Sequence, residues 1–96
     1  MTDVTVTHNP DESRYEGHVD GDLAGFADYE LRDDLIVFPH TEVDAAFEGQ
    51  GVASAIARYA LDDARATGER RVVPECPFFK GWVEKHPDYQ SLVAKR

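Results

Sequence analysis

Hydrophobic and polar positions alternate with a period of two through the first half of this chain, the pattern of half-buried strands. Residues 14–19 predict a strand with Tyr15, Gly17 and Val19 on one face. Asp20-Gly21 follows, a dipeptide suited to a tight hairpin turn. Residues 23–31 put Leu23, Ala27, Tyr29 and Leu31 together, and Arg32-Asp33-Asp34 makes a second turn. In residues 35–43, Leu35, Val37, Thr41 and Val43 alternate with Ile36, Phe38, His40 and Glu42. Apolar groups on both faces predict a central strand there. Residues 4–8 predict an edge strand, so the four segments form an antiparallel meander.

From Gly49 the period changes. Val52, Ile56, Ala60 and Ala64 fall on one helical stripe, widened by Ala53, Ala57 and Leu61. Arg58, Asp62, Arg65 and Glu69 alternate in charge on a solvated face. The alanines keep the inward stripe thin, and Gly68 suits a left-handed helix end. Residues 70–76 predict a strand reached by a crossover, hence parallel to residues 35–43. A last helix starts at Pro77 or Phe78 and ends near His86-Pro87, with a further turn or two in residues 88–95. The expected class is therefore α+β: an antiparallel meander, one βαβ unit and a C-terminal helix. The 96 residues have room for one core, so residues 1–96 are expected to form one domain.

Pro39 and Pro74 fall inside the two strands expected to be parallel, and each removes a ladder donor. Either each sits at a strand end or bulge, or the strands splay apart there. A splay would turn unpaired groups of residues 40–43 toward a cleft, where an amide-containing ligand arm can dock as a false strand.

The formal net charge is -9, with 19 acidic and 10 basic residues. This argues against a nucleic-acid groove, which needs a basic surface. The acidity suits a basic acceptor, or serves solubility alone. One cysteine, Cys76, excludes an internal disulfide and fits a reducing compartment. Met1-Thr2-Asp3-Val4 has no basic or apolar leader pattern, and no apolar run approaches a membrane span. A soluble, cytoplasmic protein without membrane partners is expected.

The richest chemistry lies in Phe47-Glu48-Gly49-Gln50-Gly51-Val52-Ala53-Ser54, between strand and helix. Two glycines with one residue between them permit a tight turn that bares N–H groups. The helix start adds more unpaired N–H groups and its positive dipole end. The turn is thus a seat for phosphate or pyrophosphate needing few side chains, or simply a structural turn. A dinucleotide fingerprint would need a third glycine where Ser54 stands, and no Gly-Lys-[Ser/Thr] marks a P-loop.

Taken together, these elements resemble the GNAT superfamily of acetyl-CoA-dependent N-acyltransferases over nearly the whole chain. Glu48-Gly49-Gln50-Gly51-Val52-Ala53 fills the family's [Arg/Gln]-x-x-Gly-x-[Gly/Ala] motif, with Glu48 in place of Arg or Gln. His40-Thr41-Glu42-Val43, Pro74-Glu75-Cys76-Pro77-Phe78 and His86-Pro87-Asp88-Tyr89 match a minimal, short subgroup. The resemblance implies that acetyl-CoA is the cosubstrate, with its pyrophosphate on the N–H groups of residues 49–54 and Gln50 able to donate. It implies a pantetheine arm along Thr41 to Val43 and an oxyanion donor near Glu42 or Val43. An amine of unknown identity is then acetylated. The alternative is a weakly catalytic or non-catalytic acyl-CoA-binding module that serves as a sensor or a protein's partner.

His40 and Glu42 are the candidate bases, or else a structural histidine and an exposed carboxylate. Cys76 is either a small buried apolar group or a residue beside the thioester. His40, Glu42 and Cys76 do not have metal-ligand spacing. Many relatives carry an acid Tyr where Val83 stands in Trp82-Val83-Glu84-Lys85, so Tyr89 or Cys76 is left to fill that role. Residues 8–14 are too short for the helices that usually wall the acceptor. An open acceptor side is implied, suited to a basic amine or a protein tail.

Overall fold

The computed structural model describes residues 3–94. Five strands form one mixed sheet in the order β1 (Thr5–Asn9), β2 (Arg14–Val19), β3 (Asp22–Arg32), β4 (Leu35–Val43) and β5 (Arg71–Val73). The first four pair antiparallel, and β5 pairs parallel to β4. Helix α1 (Val52–Thr67) makes the crossover, α2 (Pro77–Lys85) follows β5, and 3-10 turns occupy Ala45–Phe47 and Pro87–Leu92. This is the α+β order that the period change predicts. Among the described residues no helix is long and apolar enough to cross a membrane.

Alternation in β2 holds along its whole length, with Tyr15, Gly17 and Val19 all buried. The turn at Asp20 and Gly21 has positive φ at both residues, 52° and 84°, which matches the twist of the flanking strands. The longer strands β3 and β4 each contain a bulge that a strict period of two does not foresee. In β3, Ala24 is an extra residue opposite the Gly17/His18 step. The phase flips there, so Ala24 is buried while Leu23, expected inside, is 43% exposed. Leu31, also expected inside, is exposed near the strand end. In β4, Phe38 and Pro39 together oppose Tyr29. That bulge separates His40 and Glu42 from the face of Ile36 and Phe38, with which the unbroken alternation had grouped them.

One face of the sheet is the core. Tyr15, Val19, Ala24, Ala27, Tyr29, Ile36 and Phe38 pack against Val52, Ile56, Ala57, Ala60, Leu61 and Ala64 of α1. The alanine stripe lets the helix come close. A Cβ on Gly17 would stand 3.1 Å from side-chain carbons of both Ile56 and Val52, so a side chain there would have to push α1's residues aside by a few tenths of an ångström. Gly68 caps α1 in the left-handed conformation and returns its N–H to Ala64 O.

The second parallel strand is shorter than residues 70–76. Its ladder ends at Val37↔Val73, because Pro74 has no N–H and the chain turns away. Cys76 then caps α2, with Pro77 in the helix's first turn. Phe79 is fully buried and stacks on Phe38 at 4.5 Å between ring centroids. The final turn covers the outer edge of β5, where Val72 bridges to Val93 and the Ala94 N–H donates to Val72 O. Residue 95, at the end of the turn expected there, lies outside the described residues.

Candidate functional site

The sheet opens between β4 and the segment that follows β5. Paired strands end at Val37↔Val73, and one further bond crosses, from the Cys76 N–H to Phe38 O at 2.9 Å. Beyond it β4 runs on to Val43 with β3 as its paired strand. Pro39 lies at a bulge and the strands separate past it, but of residues 40–43, all expected to turn unpaired groups to the cleft, Thr41 and Val43 do so while His40 and Glu42 are paired with β3.

Which groups face the opening follows from ladder parity. The Tyr29 N–H donates to Ser13 O and the Asp44 N–H to Ala24 O. Odd residues of β3 thus turn their backbone toward β2 and even ones toward β4. His40 and Glu42 spend their main-chain groups on Asp28 and Phe26, while Thr41 and Val43 turn theirs to the opening. Pro39 shares that outward parity, so its missing N–H removes no bond to β3.

At the end of β4 the Asp44 carboxylate caps the Ala45–Phe47 turn by accepting the Ala46 N–H at 2.9 Å. Half-buried Phe47 packs against the core and holds the loop down. Gly49 and Gly51 then adopt φ of 80° and 79°. Nothing lies within 4 Å of a Cβ built at either, so left-handed geometry, not crowding, calls for glycine. Gly51 is the N-cap of α1, with no side-chain capping bond and no acidic residue in the first turn. The first returning bond is from the Ala55 N–H to Gly51 O. Among the described residues, the N–H groups of residues 49–54 have no acceptor. Six successive donors at a helix N-terminus make a concentrated positive patch on an anionic chain.

The side chains at the opening divide between two faces. Cross-strand partners share a face, and Thr41 lies opposite the fully buried Ala27 on the α1 side. There the Cys76 Sγ–H donates to Thr41 Oγ1 at 3.3 Å, and the cysteine is buried. His40 and Glu42 lie opposite Asp28 and Phe26 on the other face. His40 Nε2 and Glu42 Oε1 are 3.5 Å apart, and both side chains are more than half exposed.

A family model for the GCN5-related N-acetyl-transferase domain matches residues 14–92. The chain belongs to this family. The GNAT fold extends over all of the described sheet and helices. The solution structure of a GCN5-like protein from Staphylococcus aureus superposes with a TM-score of 0.72 at 22% identity, covering 100% of this chain and 93% of that one. The ribosomal-protein-S18-alanine N-acetyltransferase of Escherichia coli gives 0.66 at 14% identity, covering 88% and 76%. The ribosomal-protein-alanine N-acetyltransferase from Brucella melitensis biovar Abortus 2308 gives 0.61 at 20%, covering 86% and 62%. No curated protein matches this sequence.

Within this GNAT chain the expected site residues form two groups and one outlier. Residues 49–54 and the outward edge at Thr41 and Val43 meet at one end of the opening. His40 and Glu42 pair with each other, but β4 stands between them and Cys76, so the three do not make one cluster. Tyr89, considered as an acid, is elsewhere. Its hydroxyl donates to Asp62 Oδ1 at 2.7 Å on the outer side of α1, and Trp82 packs edge-on beside it. That bond to Asp62, with burial, pushes the Tyr89 phenol above its usual pKa. Ser54 contributes its N–H to the donor array, but its hydroxyl accepts from Trp82 Nε1 at 2.9 Å and ties α1 to α2. Glu48 is exposed, and its N–H is held by Ala45 O, so it lies outside the run of free donors. Asp44 is the residue that the motif missed. An Asp followed by two alanines is an N-cap signal, and it sets the approach to the turn.

Proposed function

We propose that this chain transfers an acetyl group from acetyl-CoA to an amine, using the opening between β4 and residues 74–76. The observation that carries this reading is the uninterrupted run of unpartnered N–H groups at residues 49–54 beside the outward edge of β4. Such a run receives the pyrophosphate. A capping side chain would have taken up one of these donors, and none is present at Gly51. The amide-rich pantetheine arm then satisfies the main-chain groups of Thr41 and Val43 as an added strand. Gln50 stands beside the phosphates as a neutral donor.

In the chemical step the amine nitrogen attacks the thioester carbonyl carbon, a C–N bond forms, and the C–S bond breaks. The Val43 N–H points into the opening and is fixed there by β4, so it steadies the oxyanion without reorganisation. Glu42, with His40 beside it, takes the proton from the amine on the sheet face away from α1. Cys76, on the α1 face at Thr41, returns a proton to the departing thiolate. The acceptor enters from the His40/Glu42 face, where Asp28 and Glu42 give an acidic approach suited to a basic amine or a protein tail, while Glu16 on that face is already paired with Arg14 at 2.6 Å.

One observation favours the second reading, an acyl-CoA-binding module with little catalysis. Val83 occupies the acid's place and the Tyr89 hydroxyl is engaged by Asp62. Calorimetry with coenzyme A, followed by release of free thiol from acetyl-CoA across a panel of amines, separates the two. Saturable binding with amine-dependent thiol release is the expected result. Binding without release selects the module, and no binding by folded protein removes both.

A further inference from the structure

The bulge at Ala24 turns Leu23 onto the sheet face of His40 and Glu42, beside Phe26. A pocket of about 130 Å³ lies there, lined by Leu23, Ala24, Gly25, Phe26, Glu42 and Asp44. Leu23 and Phe26 give it apolar walls. A Cβ on Gly25 would stand 2.7 Å from Glu42 O, so glycine is what lets β3 and β4 close together at that point. Asp44 continues β4 in extended geometry, with φ -61° and ψ 136°, and its N–H donates to Ala24 O. By parity the Glu42 and Asp44 carboxylates share the pocket's side of the sheet.

The charges around the pocket are not equally available. Across Phe26 from Glu42, Glu16 accepts from Arg14 at 2.6 Å and from Asn9 at 3.1 Å. Arg14 in turn lies over the Phe26 ring, 4.8 Å from its centroid. That pair is satisfied and adds nothing to the pocket. Glu42 has His40 Nε2 3.5 Å away and is the base of the proposed reaction. Asp44 accepts the Ala46 N–H at 2.9 Å. That donor is neutral, so the carboxylate keeps its charge and has a second oxygen for a cation. Two extended residues separate the carboxylates by about 6.5 Å along the chain. The volume between them has room for about four water-sized groups.

We infer that the acceptor is a short α,ω-diamine, a primary amine with a second ammonium about four methylene groups away, and that Asp44 selects it. The inference rests on reading the cleft as an amine-acetylating site. The reacting nitrogen lies at Glu42, the methylenes lie against Leu23 and Phe26, and the distal ammonium lies on Asp44. The reacting ammonium gives a proton to Glu42, and its nitrogen attacks the thioester carbonyl. A C–N bond forms, the C–S bond breaks, and coenzyme A leaves as the thiol. The product is the mono-acetylated diamine. A second acetylation would put the neutral amide on Asp44, so the reaction stops at one.

Diaminobutane and butylamine, equal in methylenes, are the probes. In amide-shift titrations without acetyl-CoA, diaminobutane should saturate shifts at Leu23, Phe26 and Asp44 at lower concentration than butylamine. In thiol release, kcat/KM should favour diaminobutane by roughly two- to fivefold, as for an exposed ion pair. The preference should fade at about 1 M salt, and mass spectrometry should find one acetyl group. Asn caps a helical turn as well as Asp does, so Asp44→Asn keeps the Ala46 bond and should bring the ratio to about one. If that variant unfolds, diaminoethane on the wild type replaces it: too short to span the pocket, it should show no such preference over ethylamine. Equal kcat/KM for diaminobutane and butylamine, or an undiminished preference in folded Asp44→Asn, overturns the inference and leaves the acetyl transfer standing. Saturating shifts without thiol release from any amine support the subsite and remove the transfer.

Discussion

Replacing Gly51 by alanine tests the main-chain anion seat directly. The residue holds φ 79° and ψ 17°, and nothing stands within 4 Å of the new Cβ. The cost to folding is therefore conformational, about 1–2 kcal/mol for an L-residue in the left-handed region. For a chain of this size that lowers Tm by roughly 4–16 °C. Gly21 supplies the control. It has φ 84° and equally open surroundings, but it lies in the β2–β3 turn, so Gly21→Ala should lose similar stability. The two substitutions part on binding. In Gly51→Ala, relief of the strain rotates the peptide units on either side, and a methyl enters the space before the N–H groups of residues 49–54. Loss of one charge-assisted bond costs about 1.5–3 kcal/mol, a factor of roughly ten to over one hundred in the Kd for coenzyme A. Calorimetry below the Tm of every variant measures it, with wild type and Gly21→Ala expected to agree. If Gly51→Ala binds within twofold of wild type, the turn is not the device that captures the diphosphate. If Gly21→Ala weakens binding equally, affinity follows stability and the local reasoning fails.

Without ligand, amides of Thr41 and Val43 should exchange rapidly while His40 and Glu42, bonded to β3, are protected; coenzyme A should slow the first pair, and protection at Thr41 beforehand would count against an open edge. Phe79→Ala removes a fully buried ring stacked on Phe38 and should cost about 3–5 kcal/mol in chemical denaturation. A loss below 1 kcal/mol would show that α2 is not anchored there. Alkali should unfold the protein through its buried phenols. Burial, then the hydrogen bond to Asp63, raises the Tyr15 pKa, and burial raises that of Tyr29. A raised folded pKa means stability present below the unfolded value of about 10 and lost as pH rises beyond it. Tm should fall above about pH 10, and Tyr15→Phe should flatten that slope. An equal slope in the variant would assign the effect to other groups.

The sequence by itself determined the elements that depend on near neighbours. A tight turn at Asp20-Gly21, a helix begun after Gly51 and ended at Gly68, and a proline opening α2 are written in local backbone preference and in period. The motif from Glu48 to Ala53 carried the family, because glycine is the residue that meets a left-handed turn at low cost. Tertiary structure decided which side chains meet. Each bulge, at Ala24 and at Phe38-Pro39, adds one residue against a neighbouring strand, and one residue is enough to send every following side chain to the other face. Pairing sets that count, and no window along the chain contains it. So Leu23 turned outward, His40 and Glu42 came together away from Cys76, and Tyr89 found Asp62, 27 positions earlier.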